Sequence, residues 1–326
     1  MNQIFRTAKL GAANLKRLDR INQIIEQNKE MGYTLTLRQL YYRLVTTNTI
    51  ANNTKEYARL IHLLTEGRMS GIVDWDGIED RVRKPYMPYT NDNVNQAIAE
   101  AERHYRLNRQ EGQSYHVELW VEKDAISNIL KVRTHYYGIY LMVNRGFSST
   151  TAMYESYQRM GKAIEDGKTP KILYLGDHDP SGLCMALTDI PNRLNQDFGV
   201  PVEVKHIGIT MDQIKKYNPP TNPAKIADSR SKWYIKNYGN SSWEVDALEP
   251  KILHELINKE IEEYVDIKLF KEVLEQEKQD KKELLVLPKQ RDKLLVLKQH
   301  IEAFDNSNKE SESKRLESYY SSKKNV

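Results

Sequence analysis

The chain has 326 residues, 39% of them hydrophobic and 29% charged, with a formal net charge of +4; the length accommodates one large domain or a few smaller ones. A mean hydropathy of −0.70 is polar for a globular protein yet short of a disordered composition, and so mild a basicity permits nucleic-acid binding without implying it. A lone cysteine, Cys184, excludes intrachain disulfides and multi-cysteine zinc modules. No apolar run approaches the ~18–20 residues that span a bilayer and no signal-peptide core is visible, so a soluble, cytoplasmic protein with no membrane partner is expected.

Residues 14–30 predict an amphipathic helix with Leu15, Leu18, Ile21, Ile24 and Ile25 on one face. Thr36 opens a second helix as a capping box with Gln39, running to about Val45. A third is expected at about 54–67, with Tyr57, Leu60, Ile61 and Leu64 as its apolar face. The segment 72–84, IVDWDGIEDRVRK, has the alternation and turn residues of a β-wing whose shape Trp75, Asp76 and Asp80 would fix. Helix, helix, turn, helix and wing is the order of a winged-helix module, which binds DNA or serves in protein contacts. Lys55, Arg59 and His62 fall along one side of the third helix, where a groove-reading helix carries its contacts.

A further helix is predicted at about 92–110. Beyond it the strands YHVELWVEK, GIYLMVNRG, KILYLGDHD and VEVKHIGI alternate with helical segments. That alternation predicts an α/β domain with a largely parallel sheet. Helices resume at about 249–280, and the polar DNSNKESESKRLESYYSSKKNV reads as a frayed tail. The expected domains are 1–110, 111–266 and 267–326.

Functional residues of open parallel sheets gather at the carboxyl ends of the strands. Here the first strand ends in Glu122, within VEKDA, and the third in Asp177 and Asp179, within GDHDPSG. Residues i and i+2 of an extended segment point the same way, so both aspartates can face one ion. Three carboxylates offer hard oxygen ligands suited to Mg²⁺, with Mn²⁺ also possible, at a phosphoryl centre. Turn and helix-cap roles for the two aspartates are the simpler alternative. His178 reads as a spacer. Lys123 and Arg145, at strand ends beside the site, fit either phosphate contacts or solvated surface.

In the helix RQLYYRLV the apolar positions Leu37, Leu40, Tyr41, Leu44 and Val45 put Tyr41 in the core. Tyr42 is then turned about 100° away, beside Arg38 one turn earlier. Arg38 and Arg43 would flank its hydroxyl with guanidinium forks suited to phosphate. On periodicity alone, with 20 tyrosines in the chain, packing is the simpler role for both.

Glu at the end of the first strand, NRG after the second and GDHDPSG after the third resemble the Toprim fold. More narrowly, they resemble the topoisomerase VI A subunit and its meiotic double-strand-break relatives, over roughly residues 30–250. In that family a winged-helix domain with an R-x-x-[FY]-Y helix precedes the Toprim domain, and the second aromatic, here Tyr42, is the transesterifying tyrosine. The match is closest to compact stand-alone bacterial, plasmid or viral versions.

The resemblance implies an α/β protein with an N-terminal winged helix, a Toprim domain and a helical C-terminal tail. It implies Mg²⁺-dependent cleavage of duplex DNA by a homodimer, the tyrosine of one protomer meeting the metal site of the other. Tyr42 and Arg38 would be catalytic, Glu122, Asp177 and Asp179 would hold the ion, and Arg43, Lys55, Arg59, Lys123 and Arg145 would contact DNA. An ATPase subunit in trans is a further possible partner, although no docking segment for one is identifiable. Glu244 and Asp246, in SSWEVDAL, sit at the right distance along the chain to join the acidic cluster; the family has a similarly placed acidic stretch, without an assigned ligand role. A water-using Toprim nuclease and a non-catalytic DNA-binding accessory factor are the competing expectations.

Overall fold

The computed structural model describes residues 3–79, 87–224, 228 and 230–323. Its first elements are α1 (Ala12–Glu30), β1 (Leu35–Thr36), α2 (Leu37–Thr46) and α3 (Thr54–Met69). Leu18, Ile21, Ile24 and Ile25 of α1 bury against Leu40, Leu44, Leu60, Leu63 and Leu64. Two expected core positions, Leu15 and Ile61, are instead exposed. The buried stripe of α3 runs through Leu60, Leu63, Leu64 and Gly67, turning Ile61 outward. The capping box forms as the sequence predicts: Thr36 accepts the Gln39 N–H while Gln39 Oε1 accepts the Thr36 N–H at 2.8 Å.

The expected wing differs. Among its described residues, Trp75–Gly77 form a 3-10 turn, and only β2 (Ile78–Glu79) is extended, pairing in parallel with β1 rather than folding into a hairpin. Asp74 at the N-cap and Gly77 within the turn break the alternation that suggested a longer strand. Residues 80–84 of the expected wing, Asp80 included, lie outside the described residues.

After α4 (Val94–His104), shorter than the helix expected at about 92–110, the chain builds a mixed α/β region. Its strands and helices are β3 (Tyr115–Val121), α5 (Ser127–Tyr137), β4 (Tyr140–Val143), α6 (Thr150–Glu165) and β5 (Thr169–Leu175). A helical stretch follows, with α7 (Pro180–Cys184) and α8 (Ile190–Asn192) joined by π-turns, and then β6 (Glu203–Gly208). The four strands form one parallel sheet in the order β4-β3-β5-β6. From β3 the chain builds to one side, and from β5 to the other. The strand order therefore reverses between β3 and β5, and ligands of open α/β sheets bind at the carboxyl ends beside such a reversal. Trp120, Ile172 and Tyr174 are fully buried among Met153, Met160 and Ala186 on the helices.

The remaining elements are α9 (Met211–Tyr217), β7 (Asn222–Pro223), α10 (Ser231–Tyr238), β8 (Ser241–Ser242), α11 (Pro250–Glu262) and α12 (Ile267–Lys323). The polar tail expected to fray is helical as far as Lys323. Ser and Asn, weak helix formers, make up much of it, but no Gly or Pro follows Pro288 to break the helix. No helix is long and apolar enough to cross a membrane among the described residues.

Two compact units result: Met1–Tyr86 with Gln110–Phe270, and Met87–Arg109 with Lys271–Val326. Within the second, Arg109 makes a forked pair with Glu277 at 3.0 and 2.6 Å, and the Tyr105 hydroxyl donates to Asp280 at 2.7 Å. The candidate site lies wholly within the first.

Candidate active site

The crossing point of the sheet gathers the acids that the strand ends carry. Glu122 follows β3, and its Oε2 accepts the backbone N–H of Asp177 at 3.0 Å, so the ends of two neighbouring strands are tied together. Asp179 caps α7, its Oδ1 accepting the Gly182 N–H at 2.7 Å. A Cβ at Gly182 would collide with the Asp177 carbonyl oxygen and crowd Glu122 Oε2 at 3.1 Å, so only glycine fits the turn of GDHDPSG. Asp179 thus has the helix-cap role that turn chemistry suggested, whereas Asp177 is tied through its backbone to Glu122.

A second acidic segment joins them. The backbones of His178 and Trp243 exchange hydrogen bonds at 2.9 and 3.1 Å, laying residues 243–246 beside the end of β5. His178 is therefore an anchor rather than a spacer. Its ring is buried, with Nδ1 2.8 Å from the Tyr234 hydroxyl and Tyr238 and Trp243 packed around it. Burial holds its imidazole below the ordinary histidine range. Asp177 Oδ1 accepts the Val245 N–H at 2.9 Å, and Ala247 enters the hydrophobic core of α1–α3. One short segment therefore packs against both the sheet and the N-terminal helices.

Lys123 lies at the centre. Its Nζ contacts Asp177 Oδ2 at 2.9 Å, Glu244 Oε2 at 2.7 Å and Asp246 Oδ1 at 2.9 Å. Burial works against its charge, but Asp246, Asp177 and Glu244 outweigh it and hold the ammonium above the ordinary lysine range. Burial, with Glu122 and Asp246 nearby, pushes the Asp177 carboxyl well above the usual carboxylate range despite Lys123. Glu244 goes the other way, down to about 2: Lys123, Tyr42 and Arg38 together overcome its burial.

Tyr42 meets this cluster from α2. The helix phase separates the pair as expected: the Tyr41 hydroxyl donates to Asn52 Oδ1 at 2.9 Å, and the Tyr42 hydroxyl donates to Glu244 Oε2 at 2.6 Å. Arg38 Nη2 lies 3.3 Å from the Tyr42 hydroxyl, and its guanidinium sits over the ring at 5.7 Å. Tyr42 is not turned to solvent, however; it is only 4% exposed, because the segment after Trp243 covers the outer face of α2. Burial, Asp246 and Glu244 all raise the phenol above its ordinary range, with Arg38 opposing. The tyrosine reaches the acidic crevice of its own chain.

Arg38 also pairs with Glu244 and, through Nε, with Asp246 at 3.0 Å. Arg43 does not flank the hydroxyl; it pairs with Glu249. Arg145 is exposed, 3.5 Å from Asp124, and lines with Arg38, Glu122, Lys123 and Asp246 a crevice of about 420 Å³. Lys55, Arg59 and His62 are exposed on α3 and line, with Lys9 and Arg17 from the α1 side, a separate cavity of about 720 Å³. Arg59 is paired there with Glu56.

Glu244 and Asp246 join the acidic cluster as expected, both meeting Lys123 beside Asp177; their contacts with Arg38 and Tyr42, which depend on the long-range pairing with His178, are not legible in the sequence. Glu118 was missed altogether: a carboxylate inside a buried strand is itself a signal that a partner exists. That partner is Arg159, at 2.7 and 3.0 Å, with the Trp120 indole at 2.9 Å. Among the described residues no group of three or more His, Cys, Asp or Glu side chains is arranged as a ready-made metal cage. No family model matches the chain, and no curated protein matches it.

Proposed function

We propose that the chain cleaves duplex DNA by Mg²⁺-dependent tyrosine transesterification in the manner of the topoisomerase VI A subunit, α1–α3 acting as a winged-helix module and the parallel sheet as a Toprim domain. The observation that carries the reading is the unbroken line of contacts from the Tyr42 hydroxyl through Glu244 and Lys123 to Asp177. A tyrosine on an amphipathic helix is ordinarily packing. One whose hydroxyl is aimed at an acid cluster beside a sheet's switch point has a chemical use.

The donor set fits a hard divalent ion. Glu122, Asp177 and Asp179 offer only oxygen, the ligand type that hard divalent ions take. These residues would hold Mg²⁺, or Mn²⁺, with water completing the shell. The ion would supply charge stabilisation at the phosphoryl oxygens. Arg38 and Lys123 orient the phosphodiester, and burial excludes water that would compete with the tyrosine.

The exchange is balanced: the Tyr42 oxygen bonds to phosphorus, the bond from phosphorus to the 3′ oxygen breaks, and the phenolic proton ends on the departing 3′ hydroxyl. A 5′-phosphotyrosyl link remains, its ester energy retained for rejoining. Cleavage of this kind needs no ATP, so an ATPase subunit would serve strand passage only. Two copies of the chain would cut the two strands, each with its own tyrosine and its own acids.

The test is to incubate the protein with labelled supercoiled plasmid and Mg²⁺ and then denature it. DNA should remain covalently attached to protein, and Tyr42→Phe should lose the adduct by at least about a thousandfold. Free 5′-phosphate ends that persist in Tyr42→Phe would establish a water-using nuclease instead. DNA-dependent activity untouched by Asp177→Ala would leave a non-catalytic DNA-binding factor.

A further inference from the structure

Arg38 Nη2, the Tyr42 hydroxyl at 2.6 Å and Lys123 Nζ at 2.7 Å all reach a single oxygen, Glu244 Oε2. A guanidinium, an ammonium and a hydroxyl closing on one anionic oxygen are the donor set that recognises phosphate. The two cations do not depend on Glu244 for their positions. Arg38 Nε is held by Asp246 Oδ2 at 3.0 Å, and Lys123 by Asp246 Oδ1 and Asp177 Oδ2, each at 2.9 Å.

The two acids of the segment differ in depth. The Asp246 side chain is wholly buried, whereas that of Glu244 is 23% exposed. Two of the donors shared by Glu244, Arg38 and Lys123, line the crevice of about 420 Å³ that Arg145 also lines. The backbone beside Glu244 is fixed by the pairing of Trp243 with His178, so its carboxylate can leave by side-chain rotation alone.

We propose that Arg38, Tyr42 and Lys123 form a phosphate-binding subsite in which the Glu244 carboxylate is an internal stand-in, displaced when a phosphodiester enters. Asp246 keeps the cations in place during the exchange. Glu244 holds the Tyr42 proton while the subsite is without substrate, and an arriving phosphate takes the same donors and puts its phosphorus beside the released hydroxyl. Only the identification of that phosphate as the scissile one rests on the transesterase reading; the subsite itself does not.

Binding of inorganic phosphate, and of a short fluorescein-labelled DNA duplex, is measured with chelator present for wild type, Glu244→Gln and Glu244→Ala. With the internal competitor removed, both ligands should bind about tenfold more tightly, and adding Lys123→Ala to Glu244→Ala should abolish the gain. Glu244→Asp keeps the charge but falls short by a methylene, so it should lie between wild type and Glu244→Gln and serves should the other variants fold poorly. Unchanged or weaker phosphate binding in the folded Glu244 variants overturns the proposal. So does loss of the covalent DNA adduct in Glu244→Gln without any gain in affinity, which would make Glu244 part of the chemistry. Tighter phosphate binding in Glu244→Gln from a wild type that forms no adduct would retain the subsite and remove the transesterase reading.

Discussion

Two carboxylates four residues apart on one stretch of chain, Glu118 and Glu122, have opposite fates. Glu118 is fully buried and answered on every side: Arg159 grips it with a fork, and His116 and the Trp120 indole reach it as well. Those partners hold its carboxyl below the ordinary range although burial alone would raise it. Glu122 stands instead at a strand end beside Asp177, where Asp177, Glu244 and Asp246 gather on Lys123 and Arg38. A balanced buried pair holds a fold together, and breaking it leaves a charge stranded. An imbalance kept at a strand end costs stability, and such sites persist where they have work to do.

The largest effects should come from exchanging these two acids for their amides. Glu122→Gln should lower DNA cleavage by about a hundredfold or more at a smaller cost in melting temperature than Glu118→Gln, because the amide oxygen can still accept the Asp177 N–H. Glu118→Gln should do the reverse, destabilising the protein by about 3–5 kcal/mol by stranding Arg159, with cleavage per folded molecule retained. Thermal melts alongside adduct yields decide it. Equal destabilisation by both variants would erase the distinction between the closed pair and the open crevice.

The next test asks whether the crevice is complete within one chain. Tyr42→Phe and Asp177→Asn would each be inactive alone. If the tyrosine serves the acids of its own chain, as its contact with Glu244 supports, mixed and re-equilibrated variants should stay at background. Adduct yield returning to a substantial fraction of wild type would mean that the tyrosine crosses to a second copy.

Much of this arrangement is local enough to be read from sequence. Capping by Thr36 and Gln39, the alternation of strands and helices, and the acids ending β3 and β5 all follow from periodicity and turn chemistry. So does the separation of Tyr42 from Tyr41, since helix phase alone places Arg38 beside the former. Periodicity along α2 cannot disclose that residues two hundred positions later cover its outer face. Tyr42 is therefore buried where exposure was expected, and Arg43 is spent on Glu249. Glu244 and Asp246 arrive through one pair of backbone hydrogen bonds between His178 and Trp243, which no side-chain pattern encodes. The end of α12 differs for another reason: its Ser- and Asn-rich composition suggests fraying, yet no Gly or Pro follows Pro288 to stop the helix.

The smallest effect lies in acid. Because the Glu118 carboxyl is depressed on folding, its contribution is complete above the unfolded value of about 4.3 and is lost as pH falls through the folded one. Wild type should therefore lose stability in urea melts below about pH 4. In Glu118→Gln that part of the slope should be missing. Asp177 carries the opposite sign, its carboxyl being raised, so its ionisation opposes folding as pH rises and Asp177→Asn should steepen the acid loss. If the two variants instead shifted the acid limb alike, the open crevice would be as well balanced as the closed pair, and the case for reading it as a site would lose its electrostatic half.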